Sequence, residues 1–234
     1  MSKLFNCPFT CGKHEKKCMS CGLTQVELDD LEKNKTFNNY KKNQTIFMQG
    51  NPAFGFYYVH SGKVKISAMG REGKEAILRI ANTGDIIGHG SLFSNELYTA
   101  SAIALENCVI GYLEKEYFFK AIAKYPVLNL NIISQLSQAM KHSEAQNITL
   151  AQKNVRERFA ALLLYLKDTY GVNDGDRTRL EIRLTREEMA AMIGSTIETL
   201  ARMSTEFKNE EIIVEEGRVI YIINEDKLKQ FANI

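Results

Sequence analysis

Two periodicities divide the chain. From Phe37 to about Leu113, short β-branched and aromatic runs such as "TIFMQG", "FGFYYVHSG", "KVKISAMG" and "ASAIALENCVIGYL" are punctuated by Gly50, Gly62, Gly70, Gly73, Gly84 and Gly88. Glycines between such runs, roughly every 8–12 residues, predict antiparallel strands folded as a sandwich or barrel. "MGREGKE" predicts a hairpin turn, with two glycines available for positive φ. From Glu116 the period lengthens. Ile133, Leu136, Met140, Ser143, Asn147, Leu150 and Asn154 recur at alternating steps of three and four, with Lys141, Glu144 and Lys153 off the seam. That is the heptad seam of a long helix, apolar early and polar late. Such a helix packs either on its own β domain or against a second copy, and the narrow seam favours the copy.

"DTYGVNDGDRTR" predicts a long loop or linker, from Gly171, Gly175 and its clustered Asp and Asn. The last fifty residues read helix, turn, helix, hairpin. Thr185 and Glu188 have capping-box spacing and start a helix through Met192; Gly194 supplies the turn. "STIETLARMSTEF" starts a second helix, with a box expected between Ser195 and Glu198. "IIVEEGRVIYII" then predicts two short strands around a Glu-Gly turn, a wing behind a helix-turn-helix.

Composition narrows the class. Among 234 residues, 44% are hydrophobic and 25% charged, and the formal net charge is +2, so total charge makes no case for a nucleic-acid partner. No apolar run approaches the roughly 18 residues of a membrane span. "MSKLFNCPFT" lacks an apolar core of signal-peptide length, so a cytoplasmic location is expected. Thiols stay reduced there, which argues against structural disulfides.

Four of the five cysteines crowd into "CPFTCGKHEKKCMSC": Cys7, Cys11, Cys18 and Cys21. Four thiolates suit a tetrahedral Zn²⁺ or a [4Fe–4S] cluster. Gly12 and Gly22 let the backbone turn toward the sulfurs, and Lys13, Lys16 and Lys17 offset thiolate charge. The bland alternative is a tail of unliganded, redox-labile cysteines. Cys108, the fifth, reads as a small buried hydrophobe.

"FMQGNPAFGFYYVHSGKVKISAMGREGKEAILRIANTGDIIGHGSLF" and "LTREEMAAMIGSTIETLARM", with the heptad helix between them, resemble the Crp/Fnr superfamily of bacterial transcription regulators. The resemblance runs over nearly all of residues 24–230. It implies an α+β fold: a Cys-rich segment (1–23), a jelly-roll sensor domain like those that bind cyclic nucleotides (24–125), a dimerisation helix (126–152) and a winged helix-turn-helix (153–234). It also implies a homodimer on a two-fold symmetric, TTG-like site in double-stranded DNA, working with RNA polymerase, and no enzymatic activity. The family reads bases with a Glu and an Arg four residues apart on the second helix, here Glu198 and Arg202. Arg202 would pair with guanine O6 and N7, Glu198 with the cytosine N4 amine, and Ile197 would approach a thymine methyl. Ala201 stands where the Fnr branch has a serine. Thr185, Arg186, Ser195, Thr196 and Thr199 are candidate phosphate contacts. The module from 151 to 234 nevertheless holds 13 Lys and Arg against 15 Asp and Glu, a net of −2, so weak non-specific binding is expected. Glu198 as a mere cap, or paired with Arg202 on the helix surface, is the competing reading.

In the sensor, the resemblance points to an effector pocket at Gly88, His89 and Ser91. His89 follows the glycine where cyclic-nucleotide binders carry Glu, and Tyr98, Thr99 and Ala100 occupy the place of their Arg, so cyclic AMP is not expected. His89 raises haem as an alternative ligand. The Fnr branch completes an iron–sulfur cluster with a β-domain cysteine, where this chain has Gly111. Cys108 lies three residues earlier, and an odd shift along a strand turns a side chain to the other face. The four N-terminal cysteines are therefore read as a self-contained set, with iron–sulfur expected from the family and zinc from the knuckle-like "CMSCG". Ser143 replaces the acidic seam residue of that branch, so reorientation within a standing dimer is expected rather than dissociation. Enzymatic use of His89 or His142 with the cysteines finds no nucleophile–base pairing or phosphate-binding loop.

Overall fold

A computed structural model describes residues 19–233, and the chain divides into two compact units, 1–142 and 143–234. In the first, α1 (Gln25–Asn34) precedes β1 (Lys35–Tyr40), β2 (Thr45–Phe47), β3 (Gly55–Ser61), β4 (Val64–Met69), β5 (Glu75–Ala81), β6 (Ile86–Ile87), α2 (His89–Ser94), β7 (Ser101–Ala104), β8 (Cys108–Glu114) and α3 (Lys115–Lys124). The strands form two antiparallel four-stranded sheets, ordered β1-β8-β3-β6 and β2-β7-β4-β5. This is the expected β domain, and "MGREGKE" is the β4–β5 hairpin turn, with Gly73 at φ +74°.

Strand alternation sorts side chains between two cores. Phe47, Val59, Val64, Ile66, Ala102, Cys108 and Ile110 fill the space between the sheets. Phe56, Tyr58 and Leu113 point the other way, against Leu28, Leu31, Phe118, Leu128 and Ile132 of the helices. Phe56 stacks on Phe118 with centroids 4.1 Å apart. Cys108 is 2% exposed, its Sγ 3.2 Å from the carbonyls of both Lys63 and Glu106.

The long helix α4 (Pro126–Gln152) opens on a proline, whose fixed φ and missing N–H suit a first turn. Of the heptad positions, Ile133, Met140, Ser143, Asn147 and Leu150 are exposed, while Leu136 packs partly on its own unit's core. Asn154 is a correction. The helix has ended, and Asn154 is the N-cap of α5 (Val155–Tyr170), in a capping box with Glu157. A side-chain acceptor two residues past a helix end serves the next helix's free N–H groups better than a seam.

The second unit continues with β9 (Gly171–Asp174), β10 (Arg177–Leu180), α6 (Arg186–Ile193), α7 (Ile197–Asn209), β11 (Ile213–Glu216), β12 (Val219–Ile222) and α8 (Glu225–Ala232). The stretch expected to be a loop is instead the β9–β10 hairpin, turning at Gly175 (φ +66°) and joining a sheet ordered β11-β12-β10-β9. Its β9 residues are all exposed, so the strand is made by backbone pairing and leaves no hydrophobic signature. The α7 turns around Phe207, which stacks on Phe159 at 5.2 Å.

Candidate nucleic-acid interface and sensor site

Helix α6 begins as expected: Thr185 Oγ1 accepts from the Glu188 amide (3.1 Å) and Glu188 accepts from the Thr185 amide (2.9 Å). It ends at Gly194, at φ +60°, in the left-handed region that glycine enters without a Cβ penalty. The second cap differs from the expectation. Ser195 donates its amide to the Ala190 carbonyl (3.0 Å) to close the turn, so α7 starts one residue later. Thr196 is its N-cap, accepting from the Thr199 amide at 3.2 Å.

The inner face of α7 buries Leu200, Ser204 and Phe207. Steps of four, three and four put Glu198, Arg202, Thr205 and Asn209 on the opposite, exposed face, where Arg202, Thr205 and Asn209 line a shallow groove. Glu198 and Arg202 make no ion pair with each other. The Glu198 carboxyl is held below the usual carboxylate range by hydrogen bonds from its own amide and the Thr196 hydroxyl, leaving an ionised acceptor. Arg202 has no hydrogen bond or ion pair among the described residues, and Ile197, the first residue of α7, is exposed. Thr199 is half-buried, its hydroxyl 3.1 Å from that of Thr196.

Arg186 is engaged. Its Nη2 lies 3.2 Å from Glu215 on the wing, which also accepts from Ser204 Oγ (2.6 Å) and Lys208 Nζ (3.0 Å). The neighbouring Glu216 pairs with Arg177 at 2.5 Å. The sequence predicted the wing at "IIVEEGRVIYII" but not this junction, whose only available signal was the pair of carboxylates on a strand. The wing turns at Gly217, φ +64°.

In the β domain, Gly88 (φ +69°) opens α2, and Ser91 Oγ donates to the Leu97 carbonyl at 3.0 Å. Tyr98 lies parallel to Phe47 with centroids 4.1 Å apart. A Cβ on Gly88 would come within 2.9 Å of Tyr98 and 3.1 Å of Phe47, so these two rings fill the space behind the glycine. His89 is driven down to about 4 by burial and by the nearby Arg79 charge, and its Nδ1 is buried without a hydrogen-bond partner. Arg79, a cation the sequence reading passed over, donates to the Ile86 carbonyl at 2.6 Å.

Of the four clustered cysteines, Cys7, Cys11 and Cys18 lie outside the described residues. Cys21 is half-buried on the helical core. Asn131 of α4 donates its Nδ2 to the carbonyls of Met19 (3.0 Å) and Cys21 (2.7 Å), and Gly22 turns at φ +80° beside Val127. Gly111 sits opposite Tyr58 in the β3–β8 ladder, and a Cβ there would overlap the Tyr58 ring. No thiol fits at 111 while Tyr58 keeps its place. Among the described residues, no three His, Cys, Asp or Glu side chains are placed to hold a metal, and no helix is long and apolar enough to cross a membrane.

Residues 37–125 match the family model described as cyclic nucleotide-binding domain, and residues 157–231 match the Crp-like helix-turn-helix domain. The fumarate and nitrate reduction regulatory protein of Vibrio cholerae is 26% identical over 221 residues, 93% of this chain and 87% of the relative. A CRP-like cAMP-activated global transcriptional regulator of Mycobacterium tuberculosis is 26% identical over 194 residues, 83% of this chain and 87% of the relative. Among solved structures, a CooA mutant from Carboxydothermus hydrogenoformans aligns with TM-score 0.74 and 25% identity, covering 87% of this chain and 90% of that one. FixK2 from Bradyrhizobium japonicum shares the fold, with TM-score 0.75 at 22% identity over 84% and 96% of the two chains.

Proposed function

We propose that this chain, a Crp/Fnr-type DNA-binding transcription regulator by its two matched domains, acts as a homodimer on a palindromic TTG-like site and answers to its N-terminal cysteines. The observation that carries the DNA-reading half is the pairing state of α7. Glu198 and Arg202 share its exposed face, and Arg202 is tied to neither Glu198 nor another carboxylate. Arg202 then has its guanidinium fork for guanine, and the ionised Glu198 accepts from cytosine. Ile197 adds an apolar contact. Thr185, Thr196, Thr199 and Ser195 flank two helix N-termini, where backbone N–H groups favour phosphate. The exposed Ile133, Met140, Ser143, Asn147 and Leu150 of α4 form the dimer seam, and RNA polymerase is the downstream partner.

For the sensory half, Cys7, Cys11, Cys18 and Cys21 hold a [4Fe–4S] cluster, which when bound supplies reactivity toward oxygen, nitric oxide or redox change. Two observations support a ligand set confined to the N-terminus: the lack of room for a thiol at Gly111, and the burial of Cys108 between the sheets. Asn131 ties the last of these cysteines to α4, so the position of residues 19–22 bears directly on the helix that carries the seam. A second reading, structural zinc with the signal arriving in the jelly roll, rests on the neutral His89 imidazole, whose buried Nδ1 has no hydrogen-bond partner, a ring suited to haem or another ligand.

Selection of duplexes from a random library, run beside metal and sulfide analysis of protein purified without oxygen, tests the proposal. Recovery of a two-fold symmetric TTG-like sequence, with about four irons and four sulfides per chain, is the expected result. Selection without symmetry or preference defeats the DNA-reading half. About one zinc and no sulfide defeats the cluster and moves the signal to His89.

A further inference from the structure

Glu215 is where the wing, the first helix and the reading helix of the DNA module meet. Its carboxylate is 16% exposed and takes three donors: Ser204 and Lys208 from α7, and Arg186 from the first residue of α6. Burial alone would push this carboxyl up, but the Ser204 hydrogen bond and the Lys208 and Arg186 charges outweigh it and keep Glu215 ionised. Glu216 next to it holds Arg177, whose guanidinium also lies 3.8 Å from the Tyr221 ring centre. The contrast with Arg202 is chemical. Arg202, on the proposed base-reading face, has no carboxylate partner, whereas Arg186, at a helix N-terminus suited to phosphate, already donates to a carboxylate oxygen, an anionic acceptor of the kind a phosphate offers.

Non-specific affinity for a duplex comes from cations that neutralise phosphates and release counterions. A cation engaged by an internal carboxylate contributes little to that count until something displaces it. We propose that Glu215 is a specificity-determining residue, an internal stand-in for a DNA phosphate that holds Arg186, with Lys208, off the backbone of duplexes lacking the recognised half-site. Discrimination then rests on Glu198 and Arg202, because the sequence-independent contribution is held low. The inference deepens the DNA-reading proposal and rests on it.

The test is fluorescence anisotropy with the full chain on a labelled random duplex and a palindromic TTG-type duplex, across about 50–200 mM salt. Glu215→Gln keeps the size and a hydrogen bond to Ser204 but removes the charge. It is expected to tighten random-duplex binding several-fold, to steepen the salt slope by about 0.9 per released cation in each chain, and to lower the palindrome-to-random ratio. Adding Arg186→Gln is expected to take that gain away. Ser204→Ala, which loosens the same junction while leaving the carboxylate, is expected to keep the wild-type slope. Arg186→Gln alone, readable even if Glu215→Gln does not fold, is expected to cost clearly less than the roughly 0.9 in slope that a phosphate-bound arginine supplies. A wild-type slope in folded Glu215→Gln, an equal gain in Ser204→Ala, or a full loss in Arg186→Gln alone would each overturn the assignment. Failure of the wild-type chain to prefer the palindrome at all would instead strike the base-reading proposal, and leaves the salt slopes still comparable.

Discussion

Adding one methyl group at Gly111 tests whether the β domain has room for a side chain where an Fnr-type regulator would place a cluster ligand. Gly111 lies on β8 between Phe37 of β1 and Tyr58 of β3, and its backbone is ordinary extended strand. Alanine is therefore conformationally acceptable there, and any cost is steric. The new Cβ would overlap Cζ, Cε1 and Oη of Tyr58, far inside the ~3.5–4.0 Å at which carbon atoms attract. Tyr58 is 1% exposed and packed edge-on against Phe37 at 6.3 Å, so its ring has no free volume to move into. Overpacking of this kind costs about 1–3 kcal/mol. So close an approach puts this site in the upper part of that range, about 2–3 kcal/mol, and the lost unfolded-chain freedom of Gly to Ala returns roughly 0.4–1 kcal/mol, leaving a net destabilisation of about 1–2 kcal/mol. Urea denaturation monitored by circular dichroism measures it, and Tyr58→Leu supplies the partner for a double-mutant cycle. With the ring gone the added methyl meets space, so a coupling of about 1–3 kcal/mol is expected. A Gly111→Ala chain within about 0.5 kcal/mol of the parent, or two purely additive mutations, would refute the steric argument. It would also reopen the strand to a thiol ligand.

Glu211 closes α7 in the left-handed region at φ +56°, a conformation that costs a residue with a side chain about 1–2 kcal/mol, so Glu211→Gly is expected to raise the urea midpoint; an unchanged or lower midpoint contradicts this. Asn131→Leu removes both donors to the Met19 and Cys21 carbonyls and is expected to destabilise by about 1–3 kcal/mol while speeding alkylation of Cys21 by iodoacetamide; unchanged Cys21 reactivity would cut the tie between the cysteine segment and α4. For His89, the folded value near 4 lies below an unfolded value near 6.5. The unfolded chain thus binds more protons between them, and stability is full above pH 6.5 and lost as pH falls toward 4. By pH 5 the loss traceable to His89 is about 1–2 kcal/mol, and His89→Leu is expected to flatten that limb of the urea midpoint against pH. An equal fall in the variant assigns the acid sensitivity elsewhere.

Glycine-punctuated strands and the Thr185–Glu188 box were legible because each is a local pattern with a local cause: a turn needing positive φ, or a helix start needing an acceptor. The β9–β10 hairpin was not, since its strands are held by pairing with each other and with β12 while the β9 side chains stay in water and β10 fully buries only Leu180. Ser195 and Thr196 offer the same hydroxyl chemistry one residue apart. Only the turn closed by the Ser195 amide decides which of them caps α7. Glu198 and Arg202 could be placed on one helix face from their spacing, and their proposed reading of bases comes from the family resemblance, but their pairing state was not visible. Nor was the fate of Arg186, whose partner Glu215 is 29 residues away. Asn154 fitted the heptad count until the helix stopped short of it. Tyr98 was noticed only as a missing arginine, whereas its contribution is to stack on Phe47 and fill the space behind Gly88.

Arg202 is proposed to read guanine in each half-site. Binding of wild-type and Arg202→Ala protein to a palindromic TTG-type duplex, and to the same duplex with that G·C pair changed to A·T, measures it most directly. On the palindrome Arg202→Ala is expected to lose about 1–3 kcal/mol per contact, roughly 5- to 150-fold for each half-site, with the difference between the two proteins vanishing on the A·T duplex. Equal binding of both proteins to the palindrome, or an equal loss on both duplexes, would contradict it.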